Sequence, residues 1–327
     1  MSKGNSITAV IPVHNRADLL RDLLRTVRAQ SIAFEEVIVI DNGSSDSAPQ
    51  LARAEGCTVI EMGENAGFAR AVNRGWRAAT TEWVAILNSD VGLDDRWTER
   101  LLAGAGAAAF ATGLILDAAG HRTGTKRIDG SYDLVSRGAC AWRAGHGEPA
   151  EGASVPVPIA VAPATACIFR RDVLARLNGF DEQFGSYLED VDLGLRCLRE
   201  GLTGVFVPDA VAWHHGSATL GRWNPRVVRL ISRNQLMLVA RHYDRALFWS
   251  CIWPILTGQV LWGLVAMRHG AAAAWVAGKW DAIRNFRLEA PASPRLREFL
   301  AASEREIRTR ARDPYWKWYF RLTGAAH

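Results

Sequence analysis

Two short β-branched runs flank a stretch of helical periodicity near the start of the chain. Residues 7–13 (ITAVIPV) and 37–40 (VIVI) have the composition of buried strands. Between them, the segment DLLRDLLRTVRAQ places leucine and valine at the spacing of one helix face. Two parallel strands joined by a helix form a βαβ unit, so this pattern predicts an α/β fold.

The same alternation continues downstream, with strands predicted at 57–62 (CTVIEM) and 83–88 (WVAILN) and a helix at 68–79 (FARAVNRGWRAA). A doubly wound, Rossmann-like sheet accounts for this order with the fewest assumptions. By contrast, residues 117–160 are rich in Gly, Arg and Pro and show little periodicity. We therefore expect a substrate-facing insertion or a loosely ordered stretch there.

Polar residues follow two of the predicted strands. The sequence Asp41-Asn42-Gly43-Ser44-Ser45-Asp46 comes directly after VIVI, and Asn88-Ser89-Asp90 ends the strand WVAILN. Open α/β sheets bind ligands at the carboxyl ends of their strands. These two loops are therefore candidates for a binding site.

Three carboxylates fall within four residues of an otherwise apolar segment, YLEDVDLGLR at 187–196. They are Glu189, Asp190 and Asp192. Burying such a cluster is costly, because carboxylates lose their hydration and repel one another. The segment is either a solvated acidic first turn of a helix, which the helix dipole favours, or a site that needs a proton acceptor or a cation.

Four motifs occur in a fixed order: VIVIDNGSSD, then NAGFARAVNRG at 65–75, then LNSD at 87–90, and then EDVDLGLR followed by His214 and His215. In this order and spacing they resemble the inverting glycosyltransferases of family 2, which have the GT-A fold. The resemblance covers about residues 7–220. Within that family the chain looks most like rhamnosyltransferase-type members that act on cell-surface polysaccharides.

The resemblance implies a nucleotide-sugar donor site. Asp41 would accept from the base imide N–H or the ribose hydroxyls, with an Asx-turn residue as the alternative. Asn65 and Gly67 would lie against the pyrophosphate at a helix start, with a plain helix N-cap as the alternative for Asn65. The remaining motif residues assigned to this site are Pro12, Asn15, Asn42, Asn73 and Asn88.

Asn88-Ser89-Asp90 resembles the DxD motif of the family, whose last carboxylate coordinates a divalent cation on the donor diphosphate. The resemblance therefore implies Mg²⁺ or Mn²⁺ at Asp90, although Asn88 removes one negative charge from the motif. A simple turn after the strand is the alternative. His214 and His215 are equal candidates for a further metal ligand or diphosphate contact.

An attacking sugar hydroxyl needs a base, because its pKa lies far above neutrality. In the family, the Asp of the ED pair takes the proton, and this role transfers to Asp190. Glu189 and Asp192 would then orient Asp190, bind acceptor hydroxyls or cap the helix. Clustered negative charge is also expected to raise the pKa of one of these carboxyls.

The chain after the predicted transferase part is basic and rich in tryptophan. Residues 222–327 contain 18 Lys and Arg against 7 Asp and Glu, whereas the whole chain has 39 against 34. Residues 246–267 carry no charge, which by length alone permits one membrane span. Pro254, Gly258, Gln259 and Gly263 instead favour a broken or interface-lying helix, and basic residues flank both ends.

We therefore predict two parts: a GT-A domain at 1–220 and a helical, membrane-associating region at 221–327. The aromatic run 314–321 (PYWKWYFR) is expected to help as an interfacial anchor. A buried helix or a dimer contact is the alternative for the apolar segment. The short polar start lacks the apolar region of a secretory signal, so we expect the protein at the cytoplasmic face of the inner (plasma) membrane.

The predicted function is inverting transfer of a sugar from a nucleotide sugar to a lipid-linked or growing cell-surface glycan. L-Rhamnose from dTDP-rhamnose is the first choice by resemblance. The alternatives are a UDP- or GDP-sugar transferase with a soluble acceptor, and an inactive membrane-bound nucleotide-sugar sensor or scaffold. Nucleic acid is not an expected partner, because the uncharged run makes a membrane more natural. The five scattered cysteines indicate neither disulfides nor a zinc site.

Overall fold

A computed structural model describes residues 6–119, 126–150, 155–216 and 223–324. The strands are β1 (Ile7–Val13), β2 (Glu36–Asp41), β3 (Thr58–Glu61), β4 (Trp83–Leu87), β5 (Val91–Leu93), β6 (Phe110–Asp117), β7 (Ile128–Gly130), β8 (Asp133–Val135), β9 (Ala141–Arg143), β10 (Val157–Ile159), β11 (Ala166–Arg170) and β12 (Gly204–His214). The helices are α1 (Ala17–Arg28), α2 (Ala48–Ala54), α3 (Phe68–Ala78), α4 (Trp97–Ala105), α5 (Arg171–Arg176), α6 (Glu189–Arg199), α7 (Pro225–His242), α8 (Arg245–Ser250), α9 (Ile252–Arg268), α10 (Ala272–Ile283), α11 (Pro294–Arg310) and α12 (Pro314–Thr323).

In the described part of the chain, one mixed sheet runs in the order β10-β12-β6-β11-β4-β1-β2-β3, with β5 on β12 and β7 on β6. Strands β1 to β4 are parallel, and β11 is antiparallel to both β4 and β6. Strand β12 is parallel to β6. Two reversals therefore point the carboxyl end of β12 toward the same edge as those of β1, β2 and β4.

Helices cover both faces of the sheet. One hydrophobic cluster joins α1, α2 and α4 to one face, through side chains such as Leu20, Ala52 and Trp97. A second cluster joins α3, α5 and α6 to the other face, through Trp76 and Leu193 among others. The predicted mixed α/β, doubly wound sheet is confirmed. The helices change face between α1 and α3, which leaves a crevice at the carboxyl ends of β1 and β4.

Of the two expectations for 117–160, the loosely ordered stretch is wrong for the residues that the structure describes there, and the substrate-facing insertion stays a prediction. Strand β7 joins the main sheet, and β8 and β9 form a separate two-stranded hairpin. Residues 120–125 and 151–154 lie outside the described part. Each of these three strands is only three residues long, which is too short to show a period in the sequence.

The helices after residue 224 pack on the hairpin and on α6. Leu238 and Leu300 share a cluster with Val191 of α6, whereas Tyr319 and Phe320 of α12 share another with the hairpin. A buried ion pair adds to this contact, with Glu304 Oε2 2.6 Å from Arg137 Nε. The predicted boundary at residues 220 and 221 lies outside the described residues.

The uncharged run 246–267 is divided between α8 and α9. Helix α9 has 17 residues, or about 26 Å, which is shorter than the roughly 30 Å apolar core of a bilayer. No helix in the described part is both long and apolar enough to span a membrane. In the aromatic run 314–321, the side chains of Trp316, Tyr319 and Phe320 are buried in the protein. These three aromatic side chains are therefore core residues, and a role of the exposed part of the run as an interfacial anchor stays a prediction.

Candidate active site

The loops after β1 and β2 are fastened to each other. The Asn15 N–H donates to Ser44 Oγ at 2.8 Å, and Asn15 Oδ1 accepts from the Ser45 N–H at 2.8 Å. One carboxylate oxygen of Asp46 accepts from the Ala17 N–H at the start of α1. Asn15 has a positive φ of 61°, a conformation that Asn tolerates better than most residues. The side chain of Asn15 therefore braces the rim of the predicted nucleotide site.

Asp41 is buried at the carboxyl end of β2, where the nucleotide is expected. Its Oδ1 accepts from the Ser44 N–H at 3.0 Å, which is the bond of an Asx turn. Asp41 therefore does act as an Asx-turn residue, which was the alternative to a nucleotide contact. Among the described residues, the hydrogen bond of its side chain uses Oδ1 and not Oδ2. Pro12 is buried in β1 and pairs with Ile40 of β2, one residue before the carboxyl ends of these strands.

Asn42 and Asn65 bridge two loops. Asn42 Oδ1 accepts from the Ala66 N–H at 2.9 Å, and Asn42 Nδ2 donates to Asn65 Oδ1 at 3.3 Å. Asn65 Oδ1 also accepts from the Gly67 N–H. These bonds hold the loop before α3 against the loop after β2. Their geometry indicates a bracing role, and a nucleotide contact by Asn42 or Asn65 stays a prediction.

The amino end of α3 is occupied by protein atoms. The Ala69 N–H donates to Gly185 O at 2.8 Å, and the Phe68 N–H donates to Ser186 Oγ. A Cβ on Gly67 would lie 3.0 Å from Gly185 O, so glycine permits this close approach. The N–H groups that would have received a pyrophosphate instead anchor the loop that leads into α6. A phosphate contact at Gly67 remains a prediction without support from this geometry.

The assignment of Asn73 to the nucleotide site is corrected by its contacts. Asn73 is fully buried, and its amide donates to Phe180 O and Glu182 Oε1 while accepting from the Phe180 N–H and Trp76 Nε1. All four hydrogen-bonding positions of the amide are filled. Gly179, at φ +65°, lies so close that a Cβ would come 2.3 Å from Asn73 Oδ1. Asn73 is a structural residue that fixes the turn before α6.

Asp90 meets His214 at the end of β12. His214 Nε2 lies 3.4 Å from Asp90 Oδ1, and His214 Nδ1 lies 2.9 Å from Asp129 Oδ2. Burial alone would lower the pKa of His214, but hydrogen bonds to Asp129 and Asp90 raise it to about 9. His215 reaches Asp90 through its backbone, since the His215 N–H donates to Asp90 O. Of the two histidines, His214 therefore makes the side-chain contact.

Sequence reasoning missed Asp129, Asp133 and Arg143, which come from β7, β8 and β9. Arg143 Nη1 lies 3.4 Å from Asp129 Oδ2, and Arg143 Nε lies 3.5 Å from Asp133 Oδ1. Burial raises the pKa of Asp133 to about 7 despite the opposing charge of Arg143, and the Asp190 carboxylate adds to the rise. Arg143 thus connects the Asp90 and His214 pair to the carboxyl groups around Asp190.

Asp190 lies in the first turn of α6 and is partly exposed. Its Oδ1 accepts from the Val191 N–H at 2.9 Å, and its Oδ2 accepts from the Ala164 N–H at 3.1 Å. Two backbone donors therefore fix the carboxylate in place. Ala164 immediately precedes Thr165, whose carbonyl accepts from the Asn88 N–H. This contact joins the Asp190 site to the predicted metal loop.

Asn88 follows β4 directly, and its backbone accepts from the Val91 N–H at 3.3 Å. This bond closes the turn that carries Asp90, as the alternative for this motif anticipated. The side chain of Asn88 is partly exposed at the sheet edge. Its assignment to the donor site is consistent with that position and stays a prediction.

Asp192 is held inside the protein between Arg196 and His242. Its Oδ2 accepts from Arg196 Nε at 2.8 Å, and its Oδ1 lies 2.9 Å from His242 Nε2 of α7. Burial would raise the pKa of Asp192, but the His242 hydrogen bond and the charges of His242 and Arg196 lower it. Of the three roles expected for Asp192, these buried contacts contradict the binding of acceptor hydroxyls, because the side chain joins α6 to α7.

Glu189 is buried at the first position of α6, and its Oε2 has no hydrogen-bond partner among the described residues. Burial, followed by the charges of Asp190 and Asp192, raises the pKa of Glu189 well above its usual range. We expected that the clustered carboxylates would raise the pKa of one member, and that member is Glu189. Glu189 therefore holds its proton to a higher pH than an exposed glutamate does.

We expect Glu189→Gln to change how stability depends on pH. Above about pH 4.3 the unfolded chain ionises Glu189, whereas the folded protein keeps its proton. Wild-type stability therefore falls as pH rises toward the raised folded pKa, by up to about 1.4 kcal/mol per pH unit. The glutamine does not titrate. Urea unfolding of both proteins at several pH values should show the variant gaining on wild type as pH rises, and parallel curves would contradict the assignment.

Asp90 and His214 together offer two ligands for a divalent cation, which is fewer than a complete coordination shell needs. No cluster of three or more His, Cys, Asp or Glu side chains that could hold a metal occurs in the described residues. Mg²⁺ commonly takes one or two carboxylates and completes its shell with phosphate oxygens and water. The contact of His214 with Asp129 matches the hydrogen bond by which a carboxylate orients many metal-binding histidines. The pair therefore fits a cation shared with a donor diphosphate only where the cation displaces the proton that His214 Nε2 shares with Asp90, a displacement that the raised pKa of His214 opposes.

Solved structures of similar fold place the chain in a recognisable structural class. A crystal structure of GalNAc-T7 with UDP, GalNAc and Mn²⁺ matches with a TM-score of 0.60 at 12% identity, covering 85% of this chain and 55% of that one. A mannosyltransferase from Pyrobaculum calidifontis, in complex with GDP-Man and Mn²⁺, gives 0.52 at 19% identity over 96% and 82% of the two chains. The mixed sheet with its strand-end site is therefore a GT-A-like glycosyltransferase fold.

The sequence comparison identifies the family. Residues 8–177 match glycosyl transferase family 2, and the chain belongs to that family. An N-acetylglucosaminyl-diphospho-decaprenol L-rhamnosyltransferase of Mycobacterium tuberculosis is 31% identical over an alignment of 231 residues, and the match covers 61% of this chain and 74% of that protein. A pre-mycofactocin glycosyltransferase of the same species is 29% identical over 248 residues, 73% of this chain and 48% of the relative. The predicted family and the predicted glycosyltransferase activity are confirmed.

Proposed function

We propose that this glycosyltransferase moves a sugar, with inversion, from a nucleotide sugar to a lipid-linked or growing cell-surface glycan. The observation that carries the proposal is that Asp190 and the Asp90 and His214 pair lie at one sheet edge, linked through the backbone of residues 164–165 and Asn88. Asp190 lies there as a fixed carboxylate, and Asp90 with His214 supplies the donor atoms for a cation. One group can take a proton while the others face a diphosphate.

The proposed reaction forms one bond and breaks another. The acceptor hydroxyl oxygen bonds to the anomeric carbon as the bond from that carbon to the diphosphate oxygen breaks, and the hydroxyl proton passes to Asp190. The nucleoside diphosphate leaves with the bonding electrons. Direct displacement from the opposite side inverts the anomeric centre. The backbone donors from Val191 and Ala164 hold Asp190 in place for this transfer.

Asp90 and His214 would hold Mg²⁺ or Mn²⁺, which when bound supplies positive charge against the leaving diphosphate. Asp129 orients His214, and Arg143 adds a fixed cation at the same edge. Two structural neighbours were solved with Mn²⁺, which supports a divalent ion but does not identify it. Asp41 remains the proposed contact for the nucleoside.

L-Rhamnose on a dTDP carrier is the proposed donor, and a diphospho-polyprenol-linked glycan is the proposed acceptor. The rhamnosyl group and the diphospho-polyprenol acceptor rest on the similarity to the mycobacterial L-rhamnosyltransferase, and the dTDP carrier rests on the family resemblance alone. An acceptor of this kind stays at the membrane surface, so we propose the cytoplasmic face of the inner membrane as the place of reaction. The basic, tryptophan-rich helices after residue 224 support that location.

A donor panel tests the proposal. Purified protein is incubated with labelled dTDP-, UDP- and GDP-sugars, a lipid extract and Mn²⁺ or Mg²⁺, and label is then counted in the butanol phase. We expect label to enter lipid from dTDP-rhamnose and to require the metal. Transfer from another donor would correct the sugar, and transfer only to a soluble acceptor would correct the acceptor. Donor binding without any transfer would favour a sensor.

A further inference from the structure

We propose that the outer surfaces of α9, α10 and α12 form one face that docks on an anionic phospholipid bilayer. This surface is called the docking face below. The inference deepens the proposed function by identifying the part of the chain that meets the membrane. It rests on that function only for the reason why the protein would dock there. Its physical basis is the exposure, arrangement and charge of the side chains on these helices.

Helix α9 presents a continuous apolar stripe to solvent. Its exposed members are three or four residues apart, which places them on one side of a helix. They are Trp253, Leu256, Val260, Leu264 and Met267, each about half exposed. The opposite side of α9 is buried and includes Gln259, whose Nε2 donates to Gly138 O. Helix α9 therefore has an inner side that is buried and hydrogen-bonded to the protein, and an outer side that is apolar and exposed.

Helix α10 faces the same way as α9, because both rest on one residue of α7. Trp262 Nε1 of α9 donates to Ser232 Oγ at 3.0 Å, and Lys279 Nζ of α10 donates to Ser232 O at 2.7 Å. Their outer sides consequently point away from α7 together. On α10 the outer side carries Val276, Trp280 and Ile283, spaced at four and three residues.

Helix α12 extends the face on the other flank of α9. Trp253 Nε1 of α9 donates to Leu322 O at 2.9 Å, which brings exposed residues of the two helices together. The outer side of α12 carries Trp318 and Leu322, both about half exposed, while Tyr319 is buried beneath them. The docking face thus combines three neighbouring helices.

This exposure is concentrated on one region of the described chain. Apart from Val155, every large hydrophobic side chain that is about half or more exposed lies in 249–322. Single exposed hydrophobic residues are common on soluble proteins, but a contiguous set of them marks an interaction site. The docking face therefore has a partner.

The charges around the docking face indicate the kind of partner. The Arg284 guanidinium lies over the Trp280 ring at 5.1 Å, and that of Arg321 lies over Trp318 at 5.0 Å. Arg268 and Lys317 are also exposed on these helices. Asp281 is the one acidic residue in the three helices, and Arg229 of α7 neutralises it. Apolar, tryptophan-bearing and basic surfaces match the acyl, interfacial and phosphate layers of an anionic bilayer.

A second copy of this chain is a weaker match. A two-fold dimer through the docking face would bring the basic residues of both copies into one interface. Like charges brought together at an interface oppose association. An anionic lipid surface instead pairs with every one of these cations. We therefore assign the face to lipid.

Vesicle binding of the full chain tests the inference. We expect wild-type protein to co-sediment with vesicles of phosphatidylglycerol and phosphatidylcholine, and to bind less to phosphatidylcholine alone or in 0.5 M salt. The double variant Leu256→Gln with Leu264→Gln should reduce the vesicle partition coefficient about tenfold or more, because two partly exposed leucines lose their transfer into the interface. Val155→Gln, an exposed apolar residue away from the face, is the matched control and should bind as wild type does.

Exposed substitutions usually change stability little, and far-ultraviolet circular dichroism checks that each variant is folded. If the first pair does not fold, Val260→Gln with Met267→Gln repeats the test on the same stripe. Unchanged binding of a folded pair, or no wild-type binding to anionic vesicles, overturns the inference. So does a wild-type dimer that becomes monomeric in the variant without binding vesicles. Vesicle binding needs neither sugar donor nor glycan acceptor. If the wild-type protein binds vesicles but transfers no sugar, only the proposed function is overturned.

Discussion

Asp190→Asn is expected to lower turnover by about 10² to 10⁴-fold while leaving donor binding nearly unchanged. The amide is almost the same size as the carboxylate but cannot accept the acceptor's proton, and general bases contribute factors of this order. Single-turnover transfer of labelled sugar measures the chemical step, and calorimetric titration with the nucleoside diphosphate measures the donor site. A pure loss in rate separates a base from a binding residue.

Asp172→Asn is the matched control. Asp172 also lies in the first turn of a helix, and its Oδ1 accepts from the N–H of the next residue at 2.8 Å, as Asp190 does at 2.9 Å. It is exposed at the start of α5, away from the sheet edge that holds the site. The control should keep full activity and report the structural cost of losing a carboxylate at such a position.

Asp133 is the alternative candidate for the base. It is a buried carboxyl that lies close enough to Asp190 for the Asp190 charge to raise its pKa. If Asp190→Asn kept near-normal turnover and Asp133→Asn abolished it, the base would be Asp133. If both variants lost turnover equally, with donor binding retained, the two carboxyls would act as a unit.

Glu304→Ala is expected to lower the free energy of unfolding by about 3 kcal/mol, the lower end for breaking a buried ion pair, because Glu304 is buried while Arg137 is partly exposed. Glu304 is 1% exposed and accepts from three donors: the Arg137 N–H, the Arg137 side chain and the Tyr319 hydroxyl. Equilibrium urea unfolding at neutral pH measures the change. Activity should fall with it, since Arg137 lies in the hairpin that carries Asp133 and Arg143.

Glu298→Ala on the same helix is the control for Glu304→Ala. Glu298 is an exposed glutamate of α11, so its removal should change stability by less than about 0.5 kcal/mol. A comparable loss in both variants would show that helix α11 itself is fragile. A loss below about 1 kcal/mol in Glu304→Ala would mean that the ion pair contributes little net stability.

Much of the sheet could be predicted because its signal is local. A buried parallel strand is a continuous β-branched run, and its carboxyl end follows directly in the sequence. The amino-acid order alone therefore assigns Asp41 and Asp90 to the correct edge of the sheet. It also predicts in outline that a histidine at 214 or 215 joins Asp90, although only the three-dimensional contacts separate His214 from His215.

Residues whose role depends on distant packing could not be predicted. Asn73 belongs to a motif that suggests a ligand, yet Phe180, 107 residues later, fills its hydrogen bonds. Arg143 and Asp129 lie on three-residue strands that have no readable period. One signal was present when β7 and β8 are taken together, because polar residues occupy every second position in RIDGSYDL, as they do in a half-buried strand.

The hairpin of β8 and β9 also constrains the order in which the molecule can be completed. Its partners are far along the chain: Arg137 binds Glu304 across 167 residues, and the Gly138 N–H donates to Tyr319 across 181. Synthesis proceeds from the amino end, so these partners emerge long after the strands that they cover. Asp133 and Arg143 are thus fixed only after residue 319 has left the ribosome. A nascent chain can complete its parallel sheet early and still be inactive until its last helix docks.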